Sequence, residues 1–121
     1  MIQPDYRVLL DEEIWAYMDR SDSFYPPDAV SLTIDQQRAV YNRMCAAFHQ
    51  PPPDGVRTWD VAFGGVPCRV YEADTSDITV VYYHGGGFVV GGLDSHDDVC
   101  AEICAATGYR VISVDYALAP E

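Results

Sequence analysis

Three consecutive glycines, Gly85, Gly86 and Gly87, stand between His84 and Phe88 and follow directly on the uncharged run Ile-Thr-Val-Val-Tyr-Tyr at residues 78–83. A β-branched and aromatic run without polar alternation predicts a strand of a parallel sheet, covered on both faces. Three residues without Cβ at its end predict bare backbone, free to take positive φ and to let another group approach closely. Neighbouring N–H groups in such a turn can converge on one oxygen, the arrangement that stabilises a developing negative charge. In an open α/β sheet, ligands sit beyond the carboxyl ends of the strands, and residues 84–92 fall at that place.

The flanking sequence completes the pattern. Ser95-x-x-Asp98 reads as a capping box opening a helix over residues 96–107, with Val99, Ile103 and Ala106 on the face turned to the sheet and Gly108 as its stop. Val111 to Val114 reads as the next strand, so residues 78–114 form a βαβ unit and the fold class is α/β. Upstream, Trp59, Val61 and Phe63 alternate with Thr58, Asp60 and Ala62, and Val66, Cys68 and Val70 alternate with Pro67, Arg69 and Tyr71. With Gly64-Gly65 between them these two runs predict a β-hairpin, and Pro67 puts its strand on the outside of the sheet.

Residues 5–50 have the period of helices. Leu10, Ile14, Tyr17 and Met18 form one stripe, and after a loop with Pro26-Pro27 the pair Thr33-x-x-Gln36 predicts a capping box for a second helix, buried along Ile34, Val40, Tyr41, Met44 and Phe48. Pro51-Pro52-Pro53 ends it. The organisation expected is a helical region over 1–53 and the strands and helix of an α/β core over 54–121.

Charge and cysteine usage exclude several classes of function. With 19 acidic against 7 basic residues the net charge is −12, unsuited to nucleic acid or anionic membrane surfaces. No apolar run approaches the roughly 18 residues of a membrane span, and the N-terminus has no leader pattern, so a cytoplasmic location is expected. Cys45, Cys68, Cys100 and Cys104 form no CxxC pair; Cys100 and Cys104, one helical turn apart, are expected as core thiols and not as metal ligands. The glycine loop itself is no phosphate cradle. A G-x-G-x-x-G from Gly85 meets Val90, one from Gly86 meets Phe88, and a P-loop spanning Gly86 to Gly91 has Gly92 at the lysine position. A plain connecting loop remains the bland alternative, but it does not require three adjacent glycines between a histidine and an aromatic.

His84-Gly85-Gly86-Gly87-Phe88, Ser95-His96-Asp97 and Asp115-Tyr116-Ala117-Leu118-Ala119-Pro120-Glu121 together resemble the N-terminal part of a hormone-sensitive-lipase-type (HGGG) carboxylesterase or lipase, an α/β-hydrolase. The resemblance is strong over residues 78–121 and looser over the rest, where helical cap elements are usual in that family. It implies that the N–H groups of Gly86 and Gly87 are oxyanion donors and that a small-molecule ester with a short to medium acyl chain is hydrolysed without a metal or organic cofactor; His84, more often a hydrogen-bonded structural residue than a base, is expected with Gly85 to support the motif, and Phe88 to border the substrate. Trp15, Tyr17, Phe24 and Tyr25 are candidates for an acyl or alcohol pocket or, more simply, for core. One departure is Ala117, where the family usually has arginine, so a structural ion pair is expected to be missing.

The serine of G-x-S-x-G and the acid and histidine that follow it in the family are absent. His49 reads as a helix-end residue, His96 as a first-turn residue supporting the loop, and Asp94, Asp97, Asp98 and Asp115 as caps and strand-end hydrogen-bonders. The expectation is an N-terminal segment of a carboxylic-ester hydrolase, inactive alone, whose strand at 78–83 is left as a sheet edge and pairs with the C-terminal remainder of the enzyme or with another copy. The alternative is a non-catalytic interaction module built on the same scaffold.

Overall fold

A computed structural model describes residues 5–73 and 76–121; residues 1–4, the opening of the predicted helical region, lie outside the described residues. The element order is α1 (Tyr6–Leu9), α2 (Glu12–Asp22), a 3-10 turn (Ala29–Ser31), α3 (Ile34–Phe48), β1 (Arg57–Phe63), β2 (Val66–Glu72), β3 (Thr79–Tyr83), a 3-10 turn (Asp94–His96), α4 (Asp97–Thr107) and β4 (Arg110–Val114).

The N-terminal helical stretch is broken where the sequence suggested continuity. Leu10 is extended at the end of α1, and the Asp11 side chain accepts from the Ile14 N–H (2.9 Å) to start α2. Capping chemistry outcompetes the apolar stripe here because Asp11 satisfies an otherwise orphan helical donor. Ile14, Tyr17 and Met18 remain exposed. For α3 the capping box forms as predicted, with Thr33 and Gln36 bonded reciprocally (2.9 and 3.3 Å). Val40 is its buried residue; Ile34, Tyr41, Met44 and Phe48 are half-buried.

Four strands form one mixed sheet in the order β1-β2-β4-β3. The hairpin closes in the predicted register, Phe63 opposite Val66, and β3 runs parallel to β4. Two expectations fail. Pro67 is not on an outer strand, because β2 lies between β1 and β4; the β2–β4 ladder begins one residue later at Cys68, and Pro67 takes part through its carbonyl, which accepts from the Asp115 N–H (2.9 Å). That position needs no donor from proline. Nor is β3 covered on both faces: it is the edge strand, with Val81 52% and Tyr83 67% exposed.

Register assigns the two faces, since directly opposite residues share one. Tyr71, Val111 and Val80 lie in one row and Arg69, Ser113 and Tyr82 in another. On this face α4 packs, joining Cys100, Ala101 and Cys104 to Tyr71 and Val111 in a core of fully buried side chains. The thiols are core, as expected, and burial pushes Cys100 up to about 11. The packing face of α4 is rotated from the predicted one, for Val99 and Ala106 are exposed and only Ile103 contributes at the margin. The opposite sheet face presents Trp59, Phe63, Val66, Val81 and Tyr83, all exposed.

Candidate active site

The glycine loop leaves the carboxyl end of β3 at His84, whose side chain is buried to 3% exposure. Its Nδ1 lies 2.7 Å from the Gly85 carbonyl oxygen. A carbonyl only accepts, so Nδ1 carries the proton. Tyr116 locks the residue from the other side: its hydroxyl donates to the His84 carbonyl (2.6 Å) and its ring stacks on the imidazole, 4.3 Å between centroids. These contacts fix His84 at the start of the loop, and Tyr116 is a partner that sequence alone did not assign.

Two glycines are required sterically. Gly86 has φ +127°, and a Cβ there would stand 2.0 Å from the Val90 carbonyl oxygen; Gly91 has φ +96°, and its Cβ would meet His84 Nδ1 at 2.6 Å. Both values are far below any van der Waals contact, so the loop closes only because these side chains are missing. The Gly86 carbonyl accepts from the N–H groups of Val89 and Val90, each at 3.1 Å. Among the described residues, the N–H groups of Gly86 and Gly87 donate to no protein acceptor. Phe88 follows at φ +64°, a conformation that costs a non-glycine residue on the order of 1 kcal/mol. Its side chain is 73% exposed and its carbonyl accepts from the Ala119 N–H (2.7 Å).

Ser95 does not cap α4. Its hydroxyl lies 2.9 Å from both the N–H and the carbonyl of Gly92, and 2.9 Å from His96 Nδ1, closing the end of the glycine loop. The helix consequently starts at Asp97. His96 sits beneath the loop, its Nε2 3.7 Å from where a Gly85 Cβ would be. Burial, then the nearby His84, pushes the His96 imidazole below its ordinary 6.5. A depressed folded value means that the unfolded chain binds the extra proton first. Stability is thus full above pH 6.5 and is lost as the pH falls from there towards the folded value. The protection factors of the residue 85–92 amides are expected to fall as the pH drops through that window, and His96→Asn should flatten the response.

Two of the acidic residues read as caps, Asp94 and Asp97, belong to a charged network instead. Arg69, opposite Asp60 in the hairpin register, bonds Asp60 (2.7 Å), Asp94 (2.8 Å) and Asp97 (2.9 Å). Asp97 also accepts from the buried Tyr71 hydroxyl (2.7 Å), and His49 Nε2 lies 3.3 Å from its other oxygen. Burial pushes the Asp97 carboxyl up, but the bonds from Tyr71, Arg69 and His49 outweigh it and hold the group below the usual carboxylate range. The cleft beside this network, about 700 Å³, is lined by Asn42, His49, Gly91, Gly92, Asp97 and Asp115 among others. Gly86, Gly87 and Phe88 are not in its wall. Nor are Tyr17 and Phe24, which pack around Phe48 with centroids 5.2 and 6.4 Å away. No group of three or more His, Cys, Asp or Glu side chains capable of holding a metal occurs among the described residues.

Strand, bare loop, helix and strand in this order and orientation also occur in characterised proteins. Residues 80–121 match the α/β-hydrolase fold family. A solved esterase of the bacterial hormone-sensitive lipase family superposes with a TM-score of 0.77 at 29% identity, over 92% of this chain and 37% of that one. The fold is that of the N-terminal part of an α/β-hydrolase. The chain is similar to the acetyl esterase of Salmonella typhi, 34% identical over 93% of this chain and 36% of the relative. It is similar over a shorter stretch to lipase 2 of a Moraxella species, 47% identical over 39% of this chain and 11% of that protein. This α/β-hydrolase chain spans about 36% of the length of the acetyl esterases it matches, corresponding to their N-terminal portion. No helix among the described residues is long and apolar enough to cross a membrane.

Proposed function

We propose that this chain is the N-terminal segment of a carboxylic-ester hydrolase and supplies the oxyanion hole for short to medium acyl esters. The observation that carries the reading is the pair of unengaged N–H groups at Gly86 and Gly87, held at the carboxyl end of β3 by a loop that admits no Cβ at Gly86. Phe88, exposed beside them, would border the substrate, with Gly85 and His84 supporting the turn. The nucleophile, acid and base are supplied by polypeptide beyond this segment, and the chain alone is inactive, because acyl transfer needs a group to attack the carbonyl. The four unpaired cysteines fit a reducing compartment, and we assign the protein to the cytoplasm.

The remainder of the enzyme would pair with β3 and cover the apolar face formed by Trp59, Phe63, Val66, Val81 and Tyr83. The exposed edge of β3 equally favours a second reading, an interaction module in which two copies pair there. Intact-mass measurement on protein from its native source, together with turnover of a short-acyl aryl ester, separates them. A longer or two-piece hydrolase is expected. A 13.4 kDa species that dimerises and leaves the ester untouched would establish the module instead.

A further inference from the structure

Arg38 lies on α3, 51 residues before Val89 in the chain, and reaches across to the glycine loop. Its Nε donates to the Val89 carbonyl (2.8 Å) and one Nη to the Ala119 carbonyl (3.0 Å), while the two Nη atoms take both oxygens of Glu121 (2.9 and 2.7 Å). The acceptors belong to two strands of backbone that are already tied together, since the Ala119 N–H donates to the Phe88 carbonyl (2.7 Å). Val89 in turn closes the turn by donating to the Gly86 carbonyl (3.1 Å). One planar guanidinium therefore grips the Val89 carbonyl, one residue past Phe88, and the segment that braces Phe88 from the side. Glu121 completes the partners of the fork and is itself held ionised: the Arg38 hydrogen bonds pull its carboxyl down to about 2. This stretch thus carries an ion pair whose cation comes from α3, while Ala117 contributes none.

We propose that Arg38 is a positioning residue for ester hydrolysis, fixing the Gly86–Phe88 backbone so that the Gly86 and Gly87 N–H groups aim at one point. The inference rests on the reading of those groups as oxyanion donors. Free donors on an unsupported three-glycine loop would sample many directions, and preorganisation is what gives such donors their effect. The fork geometry is specific to arginine, since a lysine ammonium cannot hold Val89, Ala119 and Glu121 in one plane.

The test uses the complete hydrolase, comparing wild type with Arg38→Ala, Arg38→Lys, Glu121→Gln and Gly86→Val in kcat and KM for a short-acyl aryl ester, with unfolding midpoints measured alongside. Arg38→Ala is expected to lower kcat about 10- to 100-fold with KM within about twofold. Lysine should restore little, and guanidinium ion added to Arg38→Ala should restore part of the rate. Glu121→Gln leaves the bonds to Val89 and Ala119 in place and should cost less than about threefold. Wild-type kcat in Arg38→Ala beside a dead Gly86→Val would overturn the positioning role and leave the oxyanion reading standing. So would a Glu121→Gln loss as large as that of Arg38→Ala, since the ion pair alone would then carry the effect. Unimpaired turnover in Gly86→Val would overturn the oxyanion reading, and the role of Arg38 with it.

Discussion

Gly86→Val is expected to lower ester turnover of the complete hydrolase by about two to three powers of ten, the usual loss when one oxyanion donor is removed. The reason is local geometry. At φ +127° a Cβ would stand 2.0 Å from the Val90 carbonyl oxygen and 2.8 Å from its carbon, both rigid backbone atoms. The loop must open to accept the side chain, which breaks the bonds from Val89 and Val90 to the Gly86 carbonyl and turns the Gly86 and Gly87 N–H groups away. Gly87→Ala is the matched control. Nothing lies within 4 Å of a Cβ at that site, so the substitution adds left-handed strain of roughly 1–2 kcal/mol without a clash. Its turnover should fall much less. Steady-state kinetics on a short-acyl aryl ester checks both, and equal losses in the two variants would argue that loop strain, and not donor direction, sets the rate.

The largest effect on stability is expected from Asp97→Ala, a loss of about 2–3 kcal/mol measured by urea denaturation. Removing the carboxylate leaves the hydroxyl of Tyr71, a fully buried residue, without its acceptor and takes one of three partners from Arg69. Asp97→Asn retains an acceptor and should lose less. The pH dependence has a definite sign. Because the folded Asp97 value is depressed below 3.8, its contribution is present above about pH 4 and is lost as the pH falls through the folded value. The gap between wild type and Asp97→Ala should therefore be flat at neutral pH and narrow in acid; a gap that widens there would contradict this account.

Arg69 and Arg38 differ in how much of their role was readable beforehand. A two-residue hairpin turn at Gly64-Gly65 puts residues whose numbers sum to 129 opposite each other, so Asp60 facing Arg69 follows from the turn alone. Asp94 and Asp97, arriving from beyond a crossover, do not follow from it. For Arg38 no local pattern exists, since its acceptors are 51 and more residues away and two of them are backbone carbonyls, which carry no sequence signature.

What the residues determined by themselves is everything set by short-range chemistry: the capping box at Thr33 and Gln36, the hairpin register, the strand-loop-helix-strand order and the bare loop after His84. These depend on side chains within a few positions of one another, where hydrogen-bond geometry and steric freedom leave few options. Tertiary structure decided the rest. It put β2 inside the sheet despite Pro67, left Val99 and Ala106 of α4 exposed, diverted Ser95 from helix capping to the loop, and brought Arg38 to Val89. In each case the residues nearby in sequence left more than one arrangement open, and the choice fell to contacts between elements that only the packed sheet and helices bring together.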